Sequence, residues 1–267
     1  MAEATRTQAF PDPLELAAFR DFAEYLARIG GQLSLGFFRD AGLKVERKAD
    51  DSPVTVADRQ AEQVIREAIR ARYPDHGILG EEYGAAAGSA EWEWIIDPID
   101  GTKSFVRGVG LYTTLVALLY RGEPLVGVIY CPPTGELVSA VSGQGARDAG
   151  GRPVTVSGCT RLAEAWLMLT DPSDFLRREP SFSERLLREV EASRTWADGY
   201  GYLMLASGRA DIMVDPIMSP WDIAALGVVV REAGGVLTDL DGTRQALGSS
   251  AIAAATPELH NAVLAVR

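Results

Sequence analysis

The spacing of apolar residues changes at residue 77, and this change limits the folds open to the chain. Before it, apolar side chains recur at helical spacing over Val56 to Tyr73 and over Pro13 to Arg39, the latter predicting one long helix or one broken at Gly30-Gly31. After it, short apolar runs divided by Gly and Pro turns predict a meandering sheet up to Val141. Helical spacing returns over Phe182 to Ala192, Gly199 to Gly208 and Pro220 to Ala233. This order predicts an α+β fold built of layers.

The chain length of 267 residues allows one large domain or two tightly joined ones. We predict an N-terminal α+β part over residues 1–145 and a C-terminal α/β part over residues 146–267, joined as one compact unit. Polar residues from Lys48 to Pro53 predict a turn, and Ala85 to Ser89 predicts a mobile loop. The second helix is expected to bury Ala57, Ala61, Val64, Ala68 and Ile69.

The charge balance disfavours binding to nucleic acid or to an anionic membrane. With 37 acidic and 26 basic side chains, the formal net charge is −11, which repels phosphates. No run approaches the roughly 18 apolar residues of a membrane helix, and Met1 to Pro13 lacks a basic region followed by an apolar one. We therefore expect a cytoplasmic protein. Cys131 and Cys159 are too few and too far apart to indicate a disulfide framework or a thiolate zinc site.

The segment from Trp94 to Phe105 carries the most chemical information. Its apolar start predicts a strand that delivers Asp97 and Asp100 on either side of a proline, followed at once by glycine, threonine and lysine. Carboxylates and carbonyls are ligands that Mg²⁺ and Mn²⁺ prefer, usually where a substrate phosphate completes the coordination shell. Gly101 would let backbone N–H groups approach that phosphate, especially if a helix begins there. The alternative is a plain turn, because Asp-Pro and Asp-Gly pairs favour turns.

Further carboxylates occur at the ends of other predicted elements. Glu81 and Glu82 directly follow a short apolar run, and Asp58 and Asp222 each lie in the first turn of a predicted helix. Both helix-start residues have a structural alternative, because Thr-x-x-Asp and Ser-x-x-Asp are capping arrangements and an acid there favours the helix dipole. Taken singly, neither establishes a metal site.

Together, these motifs resemble a known family. The order and spacing of Gly80-Glu81-Glu82, of Asp97 to Thr102 and of Pro220-Trp221-Asp222 with Glu232 to Gly235 are similar to those of the inositol monophosphatase superfamily of Mg²⁺-dependent, lithium-sensitive phosphatases. The resemblance extends from about Leu16 to Leu264. It implies a layered αβαβα sandwich of the inositol monophosphatase/fructose-1,6-bisphosphatase type, a phosphate monoester hydrolase and a homodimer.

The resemblance also implies a role for each matched residue. The metal ligands would be Glu81, Asp97, the backbone carbonyl of Ile99, Asp100 and Asp222, holding two or three Mg²⁺ ions that Mn²⁺ can replace. Asp58 would support a metal-bound water or a weaker third ion, and Thr102 would orient the nucleophilic water with Glu81. The backbone amides of Gly101 and Thr102 would hold the phosphate. Such a site needs no phosphoenzyme, because metal ions both neutralise the phosphate and activate water.

A second motif near the C-terminus suggests a different chemistry. Asp239 to Thr243 matches the Asp-x-Asp-Gly-Thr nucleophile motif of haloacid-dehalogenase-like phosphatases. That fold needs a lysine and further acidic residues well downstream, and only 24 residues follow Thr243. We therefore interpret Asp241-Gly242 as a tight turn between strands. Gly143-Gln144-Gly145 is similarly weak as a nucleotide loop, because no βαβ unit surrounds it.

The choice of phosphate ester depends on weaker signals. The segments Thr55 to Glu62, Asp97 to Phe105 and Asp198 to Tyr202 look most like the histidinol-phosphate phosphatase branch, which acts in histidine biosynthesis. Histidinol phosphate carries an ammonium and an imidazole, for which Asp198 and Asp215 offer anionic partners. The structural alternative makes Asp198 a helix N-cap and Asp215 a loop carboxylate. Inositol-1-phosphate, adenosine 3′,5′-bisphosphate and an inactive metal-binding scaffold stay open as alternative functions.

Overall fold

Helices and strands follow one another along nearly the whole chain. The computed structural model describes residues 11–48, 53–196 and 198–267, so most of the predicted N-terminal segment and residues 49–52 of the predicted turn lie outside the described residues. The helices are α1 (Pro13–Leu35), α2 (Val56–Arg72), α3 (Thr102–Val106), α4 (Pro172–Arg178), α5 (Pro180–Glu189), α6 (Gly199–Ala206), α7 (Pro220–Glu232) and α8 (Pro257–Ala265). The strands are β1 (Val45–Arg47), β2 (Pro53–Thr55), β3 (Gly77–Gly80), β4 (Gly84–Ala86), β5 (Trp92–Asp100), β6 (Thr113–Tyr120), β7 (Glu123–Cys131), β8 (Glu136–Val141), β9 (Gly145–Asp148), β10 (Pro153–Val154), β11 (Trp166–Leu169), β12 (Ala192–Arg194), β13 (Ile212–Asp215), β14 (Val236–Thr238) and β15 (Ala251–Ala254).

Eight strands form the larger sheet, in the order β10-β9-β8-β7-β6-β5-β3-β4. The neighbours from β5 to β10 pair antiparallel, which confirms the predicted meander. Strand β3 lies parallel to β5, so the carboxyl ends of these two strands meet at one edge. Ala85 and Ala86 belong to edge strand β4, so that part of the predicted mobile loop is a strand.

The second sheet has five strands, in the order β12-β11-β13-β15-β14. Strand β11 is parallel to β12 and β13, whereas β15 is antiparallel to β13 and β14. The predicted helix over Phe182 to Ala192 is divided here, because α5 ends at Glu189 and Ala192 begins β12. Strands of three or four residues are too short to give a clear alternation in the sequence, so the sequence pattern does not locate them.

Helices cover the outer faces of both sheets and separate the sheets from each other. Helices α1 and α2 pack on the outer face of the large sheet around Leu26 and Ile65. Helices α6 and α7 fill the space between the sheets. Helices α4, α5 and α8 cover the far face of the small sheet around Phe175 and Leu259. This order confirms the predicted αβαβα sandwich. Within the described residues, no helix has the length and apolar character needed to span a membrane.

Strand β6 shows how the sequence builds adjacent layers. Leu115 and Ala117 face the helices between the sheets, whereas Val116 and Leu118 face α1 and α2. All four side chains are almost completely buried, and each buried Leu or Val stabilises the fold by about 1.5–3 kcal/mol. Burial of both faces explains why this segment is an unbroken apolar run in the sequence.

Helix α1 continues through Gly30-Gly31 without a break. A Cβ atom at position 30 would lie 2.6 Å from Ile65 Cδ1, and one at position 31 would lie 2.7 Å from Tyr130 Cε1. The two glycines therefore allow α1 to approach α2 and the large sheet closely. The prediction of the buried face of α2 needs a correction here. Val64 was expected to be buried, but the buried residue is Ile65.

Helix α7 is the central element of the middle layer. Its residues 223–230 are all buried, which accounts for the unbroken apolar sequence there. At its carboxyl end, Glu232 accepts hydrogen bonds from the backbone N–H groups of Gly143 and Gly145, both at 2.8 Å. The Gly143-Gln144-Gly145 turn therefore binds a carboxylate of the protein itself.

The Asp239 to Thr243 motif forms a turn, as interpreted from the sequence. Gly242 N donates to Asp239 O at 3.0 Å, and Gly242 has a φ of 82°, which favours glycine. Asp241 Oδ1 accepts a hydrogen bond from Thr243 N at 2.8 Å. The aspartates of the motif thus serve local turn geometry.

Candidate active site

The end of strand β5 brings Asp97 and Asp100 together through a β-bulge. Residues three apart in a regular strand point to opposite faces. In the pairing with β6, Asp97 is opposite Leu115 and Asp100 is opposite Thr113, so β5 contains one extra residue between its two aspartates. The extra residue changes the alternation of side chains between the two faces of the sheet, so that both carboxylates can approach one another. Pro98 suits this position, because it has no N–H group to contribute to the ladder.

Asp222 joins these two residues from the first turn of α7. Asp222 Oδ2 accepts a hydrogen bond from Ser219 N at 2.7 Å, so the predicted capping role is present. One carboxylate oxygen each of Asp97, Asp100 and Asp222 lies within 4.8 Å of the others. Capping and metal binding are compatible, because a carboxylate has two oxygens and about four lone pairs.

Glu81 reaches the same edge of the large sheet from strand β3. Glu81 N donates to Ile96 O at 3.2 Å, beside the start of the bulge. Lys48 Nζ lies 2.7 Å from Glu81 Oε1 and 2.6 Å from Glu82 Oε1. Burial alone would lower the pKa of Lys48, but its hydrogen bonds to the two glutamates raise that pKa overall. The chain therefore places one cation of its own beside the acidic cluster.

Burial and mutual repulsion raise the pKa of the three clustered aspartates. Desolvation is the largest cause for each, and repulsion from neighbouring carboxylates adds to it. The pKa of Asp97 lies well above its usual range, that of Asp100 rises to about 6, and that of Asp222 to about 8. Closely spaced oxygen donors with this repulsion are a donor set that Mg²⁺ or Mn²⁺ binds. The residues present therefore fit a divalent cation.

Asp58 and Thr102 lie beside the carbonyl of Ile99. Thr102 Oγ1 donates to Ile99 O at 3.0 Å and lies 3.4 Å from Asp58 Oδ1. The other oxygen of Asp58 accepts from Thr55 N at 2.8 Å and from Thr55 Oγ1 at 2.6 Å, so Asp58 also caps α2. Gly101 has a φ of 87° and immediately precedes α3, so a helix does begin at this point. This conformation is readily adopted only by glycine.

Asp198 and Asp215 line a cavity of about 100 Å³ together with Asp100 and Asp222. Asp215 ends β13 and accepts a hydrogen bond from Tyr202 Oη at 2.8 Å, and burial raises its pKa to about 6. Asp198 precedes α6 with a φ of 52°, and its side chain makes no capping hydrogen bond. Burial, and then repulsion from Asp100, raise the pKa of Asp198. Asp198 thus occupies the N-cap position of α6 without a side-chain capping hydrogen bond, and Asp215 lies in a strand rather than in a loop.

Apolar side chains also line this cavity. They are Ile217, Met218 and Leu226, and Ile217 is 58% exposed. The lining of the cavity thus combines apolar side chains with carboxylates. A small cation attached to an apolar or aromatic group matches both kinds of side chain.

Several residues of the site were not identified from the sequence. Thr113 Oγ1 donates to Asp100 Oδ2 at 2.9 Å, and Gly199 N donates to the same oxygen. Lys48 is separated from Glu81 by 33 positions, so no local motif connects them. For α2, a signal was available, because Glu62 and Arg66 lie four residues apart on its apolar face and are both buried.

Comparisons with known proteins agree with this geometry. Residues 15–267 match the family model described as the inositol monophosphatase family. The histidinol-phosphatase of Chlorobaculum parvum is 41% identical over 232 residues, which cover 86% of this chain and 89% of that protein. The histidinol-phosphatase of Mycobacterium tuberculosis is 40% identical over 261 residues, which cover 95% and 96%.

Solved structures show the same architecture. An inositol monophosphatase from Zymomonas mobilis has a TM-score of 0.83 at 30% identity, covering 96% of this chain and 99% of that chain. The IMPase of Thermotoga maritima also has a TM-score of 0.83, at 33% identity, covering 92% and 95%.

Proposed function

Because the chain belongs to the inositol monophosphatase family and is a phosphomonoesterase, we propose that it is a Mg²⁺-dependent histidinol-phosphate phosphatase. It would convert L-histidinol phosphate and water to L-histidinol and phosphate, a step of histidine biosynthesis. The observation that carries the proposal is the small cavity beside the carboxylate cluster, which is lined by both acidic and apolar side chains. The names of the two relatives at 41% and 40% identity support the same substrate.

The carboxylate cluster would hold the metal. Its ligands would be Glu81, Asp97, the Ile99 carbonyl, Asp100 and Asp222. Bound Mg²⁺ would neutralise the phosphate and lower the pKa of a water molecule. Lys48 would stay beside Glu81 and add positive charge on that side of the cluster. The positive charge of such a site would reduce the repulsion between the phosphate dianion and an incoming hydroxide, which is the main barrier to the reaction.

Glu81 and Thr102 would orient the attacking water. The Thr102 hydroxyl has two acceptors within the chain for its one proton, the Ile99 carbonyl and Asp58 Oδ1, so the lone pairs of Thr102 Oγ1 can accept a hydrogen bond from water. The Glu81 carboxylate can accept the second hydrogen of the same water. The backbone N–H groups of Gly101 and Thr102 would bind phosphate oxygens, because they lie where α3 begins. Asp58 would support this arrangement from the position 3.4 Å from Thr102 Oγ1.

The amino alcohol part of the substrate would occupy the small cavity. Its ammonium would lie between Asp198 and Asp215, where charge-assisted hydrogen bonds are strong. Its imidazole would contact Ile217 and Met218, two of the apolar side chains that line the cavity. A polyol such as inositol brings no cation to the carboxylates.

The test is phosphate release from histidinol phosphate, inositol-1-phosphate and adenosine 3′,5′-bisphosphate, measured side by side with Mg²⁺ and with chelator. We expect the highest kcat/KM with histidinol phosphate and no release from any ester in chelator. Comparable or faster hydrolysis of another ester would reject histidinol phosphate as the preferred substrate. Release that persists in chelator would reject the metal dependence.

Other features stay predictions. They are the homodimer, the cytoplasmic location, the lithium sensitivity, and the division into residues 1–145 and 146–267. None of them enters the mechanism above, which uses residues of one chain.

A further inference from the structure

Helix α2 places a buried ion pair beneath the backbone that follows Glu81. Asp58, Glu62 and Arg66 are spaced by four residues, so they lie along one stripe of the helix. The whole residues are only 1%, 0% and 4% exposed. Charged side chains are almost never buried to this degree unless they are paired. Glu62 and Arg66 satisfy this condition, because Arg66 Nε lies 2.7 Å from Glu62 Oε1.

The partners of this ion pair are backbone groups of the segment that follows Glu81. Glu62 Oε2 accepts a hydrogen bond from Glu82 N at 2.7 Å, and Glu62 Oε1 accepts one from Tyr83 N at 3.2 Å. Arg66 Nη2 donates to the carbonyl of Gly84. Three consecutive residues are therefore held by two side chains of α2.

Apolar packing does little to hold this segment. Tyr83 is 51% exposed, and Gly84 has a positive φ of 64°. On the other side of Glu81, a Cβ atom at Gly80 would overlap the carboxylate of Glu62. Glu62 thus contacts the chain immediately before and immediately after Glu81.

We propose that Glu62 and Arg66 form a positioning pair that fixes Glu81 for metal binding. This role rests on the proposed function of the acidic cluster as a metal site. Glu62 itself does not touch the metal or the substrate. It supplies hydrogen-bond acceptors to the two N–H groups after Glu81, and Arg66 neutralises its charge in the buried position.

The competing role is purely structural, in which the pair only attaches α2 to the edge of the large sheet. The two roles differ in what a substitution changes. A structural pair affects the free energy of unfolding, whereas a positioning pair also changes the metal affinity of protein that is fully folded. Groups that orient metal ligands typically contribute about 10–100-fold to metal affinity or activity.

The experiment compares Glu62→Gln with Glu232→Gln. Glu232 is a matched control, because its carboxylate also accepts two backbone N–H hydrogen bonds, from Gly143 and Gly145, in another part of the large sheet. Glutamine at position 62 replaces one acceptor oxygen by an NH₂ group that faces other donors. Mn²⁺ binding is measured by isothermal titration calorimetry below the melting temperature, and kcat is measured against Mg²⁺ concentration.

We expect Glu62→Gln to weaken Mn²⁺ binding by about 10–100-fold and to raise the Mg²⁺ requirement, with kcat partly recovered at high Mg²⁺. Glu232→Gln should lose stability but keep wild-type Mn²⁺ affinity. If Glu62→Gln does not fold, Arg66→Lys keeps the charge, alters the donation to Gly84, and should weaken Mn²⁺ binding less strongly in the same direction. Wild-type Mn²⁺ affinity in the folded variant overturns the positioning role. Absence of Mn²⁺ binding by the unaltered protein would instead overturn the proposed metal site.

Discussion

Replacing Asp222 by Asn should make the metal-free protein more stable while it abolishes activity. The asparagine oxygen can still accept the hydrogen bond from Ser219 N, which Asp222 Oδ2 accepts at 2.7 Å, so the cap of α7 is kept. The substitution replaces a carboxyl group that can ionise by an amide that cannot. In that cluster, desolvation and then repulsion from Asp100 raise the pKa of Asp222 to about 8.

The expected gain follows from this pKa. An unperturbed aspartate has a pKa of 3.8, so the folded protein binds this proton more tightly than the unfolded chain does. The contribution of Asp222 to the stability of the metal-free protein therefore falls as the pH rises from 3.8 to about 8. At about 1.4 kcal/mol per pH unit, Asp222 can lower the free energy of unfolding at pH 7 by at most about 4 kcal/mol. Because neighbouring carboxylates share the repulsion, we expect ~2 kcal/mol in the variant, which corresponds to about 4–8 °C in Tm for a chain of this size.

The assay is thermal unfolding in chelator, followed by circular dichroism at pH 5 and at pH 8. The gain should be clear at pH 8 and small at pH 5, while phosphate release with Mg²⁺ should fall by about 100-fold or more, since even groups that only orient ligands contribute about 10–100-fold. Asp241→Asn is the control, because hydrogen bonds from Thr243 lower the pKa of Asp241 in its exposed turn. It should gain no stability and keep its activity. An Asp222→Asn protein that is less stable than wild type at pH 8 in chelator, or that retains wild-type turnover, would refute the reasoning.

Two further substitutions test the cavity and the fold. Asp198→Asn should lower kcat/KM for histidinol phosphate by about 10–100-fold, the loss expected for one charged hydrogen bond, while hydrolysis of an ester without an amine stays unchanged. Asparagine has the same size and shape as the aspartate that already adopts φ 52° and ψ −154° at this position, and equal losses on both esters would contradict an ammonium partner. Gly31→Ala should lower the free energy of unfolding in urea by about 1–3 kcal/mol, because its Cβ would lie 2.7 Å from Tyr130 Cε1. Gly36→Ala should lower it less, because a Cβ there would be near only Leu33 O, at 3.2 Å. Equal urea midpoints for the two variants would contradict this account of the contact.

The candidate metal ligands could be proposed from the sequence, but the way they meet could not. The Asp-x-x-Asp spacing places two carboxylates on opposite faces of a regular strand. Their proximity depends on the bulge between Asp97 and Asp100, which is defined by the register against β6. Register is a property of two paired strands, and no local pattern in β5 contains it.

Contacts between distant segments explain the other differences. Gly30-Gly31 had the local signature of a helix break, but the packing of α1 against Ile65 and Tyr130 decides the outcome. Lys48 reaches Glu81 across 33 positions, which only the folded chain makes visible. Glu62 was detectable in principle, because a charged residue on the buried face of a helix requires a partner. The spacing of four residues indicates Arg66 as that partner, but it does not indicate the backbone groups that the pair contacts.

The middle helical layer has a consequence for how the protein is made. Strand β10 ends at Val154, whereas α6 begins at Gly199 and α7 ends at Glu232. A ribosome adds roughly 5–20 residues per second, so the inner face of the large sheet, around Leu115 and Ile129, waits on the order of ten seconds for the helices that cover it. Exposed apolar surface of this kind favours aggregation and chaperone binding. The nascent chain is therefore most vulnerable after the first sheet has been synthesised, and it acquires Asp222 only after that sheet is complete.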